Sequence, residues 1–213
     1  YYEDEGSIDN RALTAALAAA SEKLGVRIYA DCEVLEVLVQ KDTVRGVRTR
    51  EGNFSSAVVI NSAGAWAGNI AGEVEQVDIE PVKGQMLMLD CKGFEAELPR
   101  HTIYSHQTYL VPRRDGRVIV GATVEDKGFD KSVEPAAIEA LHQKAAGLFP
   151  FLRNLQPRES WAGLRPMGKQ DVPSIGALSP DGYYAAVGHY RNGILLAPLT
   201  QELMAREIIE TAS

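Results

Sequence analysis

At 213 residues the chain is long enough for one large domain or two small ones. Apolar content of 45% and charged content of 24% are ordinary for a soluble globular protein, and a net charge of −7 with scattered Lys and Arg argues against a nucleic-acid surface. No apolar run approaches a membrane span, and Cys32 and Cys91 have neither metal spacing nor the numbers of a disulfide scaffold.

Asp9 is a good N-cap, and Leu13, Ala16, Leu17, Ala20 and Leu24 recur at helical spacing up to Gly25, which predicts a helix over Asn10–Leu24. Val26–Ala30, Glu33–Gln40, Thr43–Arg50 and Phe54–Ile60 read as strands, with Glu51-Gly52-Asn53 as a turn. The apolar run Ala57–Ile60 is expected to be buried on both faces. A short helix to Ala71 follows the small-residue turn Asn61–Gly68. Strands are then expected at Lys83–Asp90, Thr102–Ser105, Thr108–Pro112 and Arg117–Thr123, with a hairpin at Arg114-Asp115-Gly116. Glu134–Gly147 reads as a helix with Ile138, Leu141, Ala145 and Leu148 on one face. Strands near Glu159–Arg165 and Tyr183–Val187 precede a last helix from Ile194 to Thr211, with Pro198 in or near its first turn.

The fold class expected is therefore mixed, α+β or α/β, with a mainly antiparallel middle sheet and one or two helices set between two outer segments. Cysteine usage suits a reducing, cytoplasmic setting. The opening Tyr1-Tyr2-Glu3, without Met or a signal pattern, suggests a fragment or a processed chain.

Gly188-His189-Tyr190-Arg191-Asn192-Gly193 joins an apolar strand to a helix. A helix start offers free N–H groups and partial positive charge to an anion or an electron-rich carbonyl. A plain glycine-containing loop satisfies the same pattern. Arg165, between Leu164 and Pro166, and Arg191 can each fork a carboxylate, and a structural salt bridge would satisfy them equally. Tyr109 sits in a strand where its hydroxyl could cap a carboxylate or merely pack. The four histidines lack metal spacing, and no Ser/His/Asp nucleophile motif occurs.

Four segments together resemble the D-amino-acid oxidase superfamily of flavoenzymes, its glycine oxidase branch in particular. They are Val58–Trp66, Tyr109–Arg113 with Gly121–Thr123, Trp161–Pro166, and Gly188–Pro198. The resemblance implies a partial FAD-binding domain over residues 1–75 and 162–213, interrupted by a substrate-binding domain over 76–161. It implies that Arg165 pairs with the carboxylate of a small amino-acid substrate, that Tyr109 lies over the same group, and that Arg191 is a second contact. It places Gly188, His189, Asn192, Gly193, Ile194 and Leu195 around the flavin ring, Ala63 and Gly64 beside the dinucleotide, and Val34 facing the adenine. The implied reaction is oxidative deamination of glycine or a small D-amino acid by hydride transfer to flavin. A D-amino-acid dehydrogenase and an N-methyl amino acid oxidase are the alternatives within the superfamily.

Two departures stand out. No G-x-G-x-x-G follows an N-terminal strand, so the chain alone is expected to bind FAD weakly or not at all. The front sheet is expected to leave an apolar edge exposed unless the chain self-associates. A folded, flavin-free, non-catalytic module is therefore the competing reading. Covalent flavin attachment, seen in sarcosine-oxidase relatives, is not expected, because no cysteine lies in Trp161–Gly168.

Overall fold

The computed structural model describes residues 6–94, 96–169 and 172–211; the outer ends of the expected domains, at residues 1 and 213, lie outside them. Helix α1 (Asn10–Lys23) starts where the Asp9 carboxylate accepts the Ala12 N–H at 3.1 Å. It stops before Gly25, whose φ of 87° reverses the chain at no steric cost. β1 (Val34–Gln40), β2 (Thr43–Thr49) and β3 (Gly52–Ser55) form an antiparallel sheet in that order. β4 (Val59–Asn61) leads into a 3-10 turn at Gly64–Asn69. Next come β5 (Ile79–Asp90), β6 (Ile103–Tyr104), β7 (Tyr109–Pro112) and β8 (Arg117–Gly121). Helix α2 (Pro135–Leu148) and a 3-10 turn at Pro150–Asn154 precede β9 (Pro157–Gly168). β10 (Ser174–Leu178), β11 (Tyr183–Val187) and α3 (Gly193–Thr211) complete the order.

The chain divides into two compact units, Tyr1–Ile8 with Val82–Leu164, and Asp9–Pro81 with Arg165–Ser213. The sheet β6-β7-β8-β5-β9 carries the core of the unit around Val82–Leu164. Leu87, Leu89, Leu110, Val118 and Val120 are fully buried against Ile138, Leu141 and Ala145 of α2. Each large side chain so buried contributes about 1.5–3 kcal/mol. The other unit holds the β1-β2-β3 sheet and a second sheet ordered β10-β11-β4, in which β11 and β4 run parallel. Its cores are small: Val37, Val44 and Tyr183 form one, and Ala67, Val77, Ala185 and Val187 another.

The mixed class and the antiparallel middle sheet agree with the sequence reading; several local expectations do not. Val26–Ala30 forms no strand: among the described residues no strand pairs with it, and Val26, Ile28 and Tyr29 stay exposed. Phe54–Ile60 is two strands, broken where the Ser56 hydroxyl binds the Val58 backbone and competes with the ladder. Ala57–Ile60 is not buried on both faces, because β4 is an edge strand and Ile60 is 46% exposed. Leu148 is exposed at the end of α2. α3 begins at Gly193, so Pro198 lies inside the helix, beyond its first turn. β10 was not anticipated.

Candidate functional site

The turn from β11 to α3 is built from backbone conformations that few side chains favour. Gly188 has φ 84° and Tyr190 φ 50°. A Cβ at Gly188 would crowd Ile79 Cδ1 at 3.2 Å, with Gly168 Cα and Pro173 Cα at 3.4 Å. The turn is anchored to β9: Tyr190 N donates to Pro166 O at 2.8 Å, and His189 bridges Met167. Asn192 N donates to His189 O at 2.9 Å, and Leu196 N to Asn192 O at 2.8 Å, which starts α3. The His189 ring Nε2 meets Thr200 Oγ1 at 2.9 Å, and burial pushes the His189 pKa below its usual value. Arg191 is exposed, its guanidinium 5.2 Å from the centre of the Tyr190 ring.

The β4-to-3-10 turn is held by one buried side chain. Asn61 Nδ2 donates to Ala67 O at 3.0 Å and to Tyr183 Oη at 2.9 Å, while Asn61 Oδ1 accepts the Ala63 N–H at 3.2 Å. Ala63 and Gly64 follow directly, with Gly64 at φ 56° and nothing within 4 Å of where a Cβ would stand. Between this strand end and α3 runs a groove of about 480 Å³, lined by Ile60, Ala186, His189, Ala197, Met204 and Ile208 among others. Val34 opens β1, paired with Thr49; further along β1, Val37 N donates to Ala71 O at 2.9 Å.

Tyr109 lies in the unit around Val82–Leu164. Its ring rests over Gly121, where a Cβ would stand 2.6 Å from both its Cζ and its hydroxyl, and that hydroxyl faces Met86 Sδ at 3.9 Å. Thr108 Oγ1 donates to Gly121 O at 2.9 Å. The same unit holds a polar knot that the sequence reading missed. Lys83, with a side chain 0% exposed, sits 3.2 Å from Asp130, 3.6 Å from Glu134 and 4.0 Å from Glu125. The Gln85 backbone N–H donates to Thr123 Oγ1 at 2.8 Å, while Gln85 Nε2 donates to Glu125 at 2.9 Å and Gln85 Oε1 accepts the Glu134 N–H at 2.7 Å. Thr123 also donates to Glu125. Burial pushes the Glu125 carboxyl up, but hydrogen bonds from Thr123 and Gln85 and the Lys83 charge hold it below its usual range. Hydrogen bonds from Ser132, then Lys83, hold Asp130 down at about 2. The signal was Lys83-Gly-Gln85 directly before the apolar run Met86–Leu89.

The structure thus brings Gly188, His189, Arg191, Asn192, Gly193, Ile194 and Leu195 into one turn and helix start. It ties that turn to the strand carrying Arg165, which is half-buried rather than at the end of a buried strand: β9 continues to Gly168, its one buried residue. Ala63 and Gly64 share a second turn, Val34 a third segment, and Tyr109 belongs to the other unit. Among the described residues no group of three His, Cys, Asp or Glu could hold a metal ion, and no helix is long and apolar enough to cross a membrane.

The FAD dependent oxidoreductase (DAO) family matches residues 1–207, and the chain belongs to it. It is 38% identical over 214 residues to the bifunctional protein ThiO/ThiG of Trichormus variabilis, covering 100% of this chain and 32% of that protein. It is 36% identical over 208 residues to the glycine oxidase of Pseudomonas aeruginosa, covering 96% of this chain and 56% of that one. The crystal structure of glycine oxidase from Geobacillus kaustophilus superposes with a TM-score of 0.84 at 31% identity, covering 93% of this chain and 53% of that chain. The chain therefore spans about half the length of the glycine oxidases that it matches.

Proposed function

We propose that this chain carries the ring-side and substrate-side half of an FAD-dependent oxidase of glycine or a small D-amino acid, as part of a longer protein. The observation that carries the reading is the link from Tyr190 N to Pro166 O, which ties the glycine-rich turn to the residue next to Arg165. On this reading residues 1–75 and 162–213 form the flavin-binding side, and 76–161 the substrate-binding sheet.

Open space beside the backbone at two of the assigned residues supports this reading. Nothing lies within 4 Å of a Cβ position at Gly64, and at Gly193 the nearest atom, His189 Cβ, is 3.8 Å away. Gly188, His189, Asn192, Gly193, Ile194 and Leu195 would hold the ring, with Ala63, Gly64 and Val34 toward the nucleotide. When bound, FAD supplies a two-electron acceptor. The first-turn N–H groups of α3 favour an electron-rich group at that helix start. Arg165 forks the substrate carboxylate, Tyr109 caps it, and Arg191 is a second contact. These residues orient the substrate and need supply no proton acceptor.

The open edge of β4, the groove beside α3 and an α1 without a buried residue support a second reading, a folded, flavin-free, non-catalytic module. The two are separated by joining the chain to a strand–G-x-G-x-x-G–helix unit and adding glycine or D-alanine without oxygen. Bleaching of the flavin absorbance supports the oxidase reading, and peroxide on readmitting oxygen separates an oxidase from a dehydrogenase. A yellow joined protein that neither amino acid bleaches overturns it.

A further inference from the structure

We propose that His189 is a positioning residue: its imidazole, bonded to Thr200 about two turns along α3, locks the Gly188–Gly193 turn onto the helix that follows it. The relevance of that turn to flavin rests on the reading above; the lock itself does not.

The turn needs an external hold. Gly188 and Tyr190 both lie in the left-handed region, and Tyr190 is not a glycine. The backbone is fixed on the β9 side through Pro166 and Met167. On the α3 side the His189 ring reaches past the first helical turn to Thr200, which is 8% exposed. A buried hydroxyl and a half-buried ring nitrogen each gain a partner there, and the hydroxyl can donate or accept, so the bond serves either tautomer.

The surroundings keep the ring neutral. Ile60 and Ser62 at the β4 end, Ala186 of β11, and Ala197, Gln201 and Met204 of α3 line the same groove, and none of its lining residues is charged. From β9, Met167 bridges His189. On its own turn the one charged side chain is Arg191, which is exposed and lies over Tyr190. A protonated ring would meet no counter-charge in the groove wall.

Amide hydrogen exchange on the chain as it stands tests the lock without flavin. Thr200→Val keeps the shape of the side chain and removes the hydroxyl; His189→Ala removes the ring. Each should speed exchange at Asn192 and Leu196 by up to about tenfold, the loss of one hydrogen bond, while Tyr183–Val187 stays unchanged. Thr200→Ser and His189→Gln should restore slow exchange, and the double variant should be no faster than the single ones. Lowering the pH below the ordinary imidazole value of about 6.5 should raise the exchange of the same amides relative to their intrinsic rate, which itself falls with acid, in the native chain and not in His189→Gln. Should His189→Ala fail to fold, Thr200→Val alone carries the test. Uniform acceleration across the unit, no acceleration, or additive effects in the double variant would overturn the proposal.

Discussion

The Asn61 side-chain amide donates to the Tyr183 hydroxyl at 2.9 Å and so ties β4 to its parallel neighbour β11. The same nitrogen reaches Ala67 O, and the amide oxygen takes the Ala63 N–H, so every polar group of this buried side chain is engaged. Tyr183→Phe strands one buried N–H. The expected cost is about 1–3 kcal/mol, read as a lower urea midpoint with an unchanged slope.

The Lys83 knot gives stability a defined pH dependence. Asp130 is held at about 2 and Glu125 is lowered, so their contribution is complete above the unfolded carboxylate values near 4 and is lost as pH falls toward about 2. Burial pulls the Lys83 pKa down, but the Asp130 hydrogen bond and the three carboxylate charges raise it above its ordinary value. Its share therefore persists below about pH 10. Urea midpoints measured from pH 6 to about 2.5 should fall less steeply for Asp130→Asn than for the native chain.

The sequence shows α1 and β11 clearly because their signals are local. Asp9 and Gly25 bracket the first, and an unbroken apolar run ended by Gly188 marks the second. Val26–Ala30 was misread because a strand exists only with a partner. β10 was missed because Pro173 and Gly176 look like turn residues; Gly176, at φ 121°, lies where a Cβ would meet Glu207 Oε2 at 2.8 Å. Of the candidate site, the Gly188–Leu195 segment is legible because it is continuous. Asn61 and the Lys83 knot are not, because Tyr183 and Asp130 lie 122 and 47 residues away; Thr200 is not, because its partner His189 stands in the turn outside the helix that carries it.

Gly121→Ala tests how tightly Tyr109 is placed. The added methyl would stand 2.6 Å from the Tyr109 hydroxyl and 3.0 Å from Met86 Cε, both ends of side chains that can move. The expected result is a folded protein destabilised by about 1–3 kcal/mol, with the tyrosine ring displaced. Thermal unfolding checks the first part. In the joined protein a raised KM for amino acid checks the second.

Leu24 at 86% and Leu195 at 78% exposure, with Leu17, Val26 and Ile60, leave apolar surface uncovered in the unit around Asp9–Pro81 and Arg165–Ser213. The chain should bind a hydrophobic dye, and joining it to a nucleotide-binding unit should reduce that signal. Equal dye fluorescence before and after joining would show that this surface has another role.

The central claim is tested most directly by steady-state kinetics of Arg165→Ala in the joined protein. Losing a forked carboxylate contact should cost about 2–5 kcal/mol, roughly 30-fold or more in kcat/KM for glycine. FAD affinity should stay within about threefold of the native value, since on this reading the arginine grips the substrate and not the cofactor. An Arg165→Ala protein with unchanged kcat/KM would contradict the assignment.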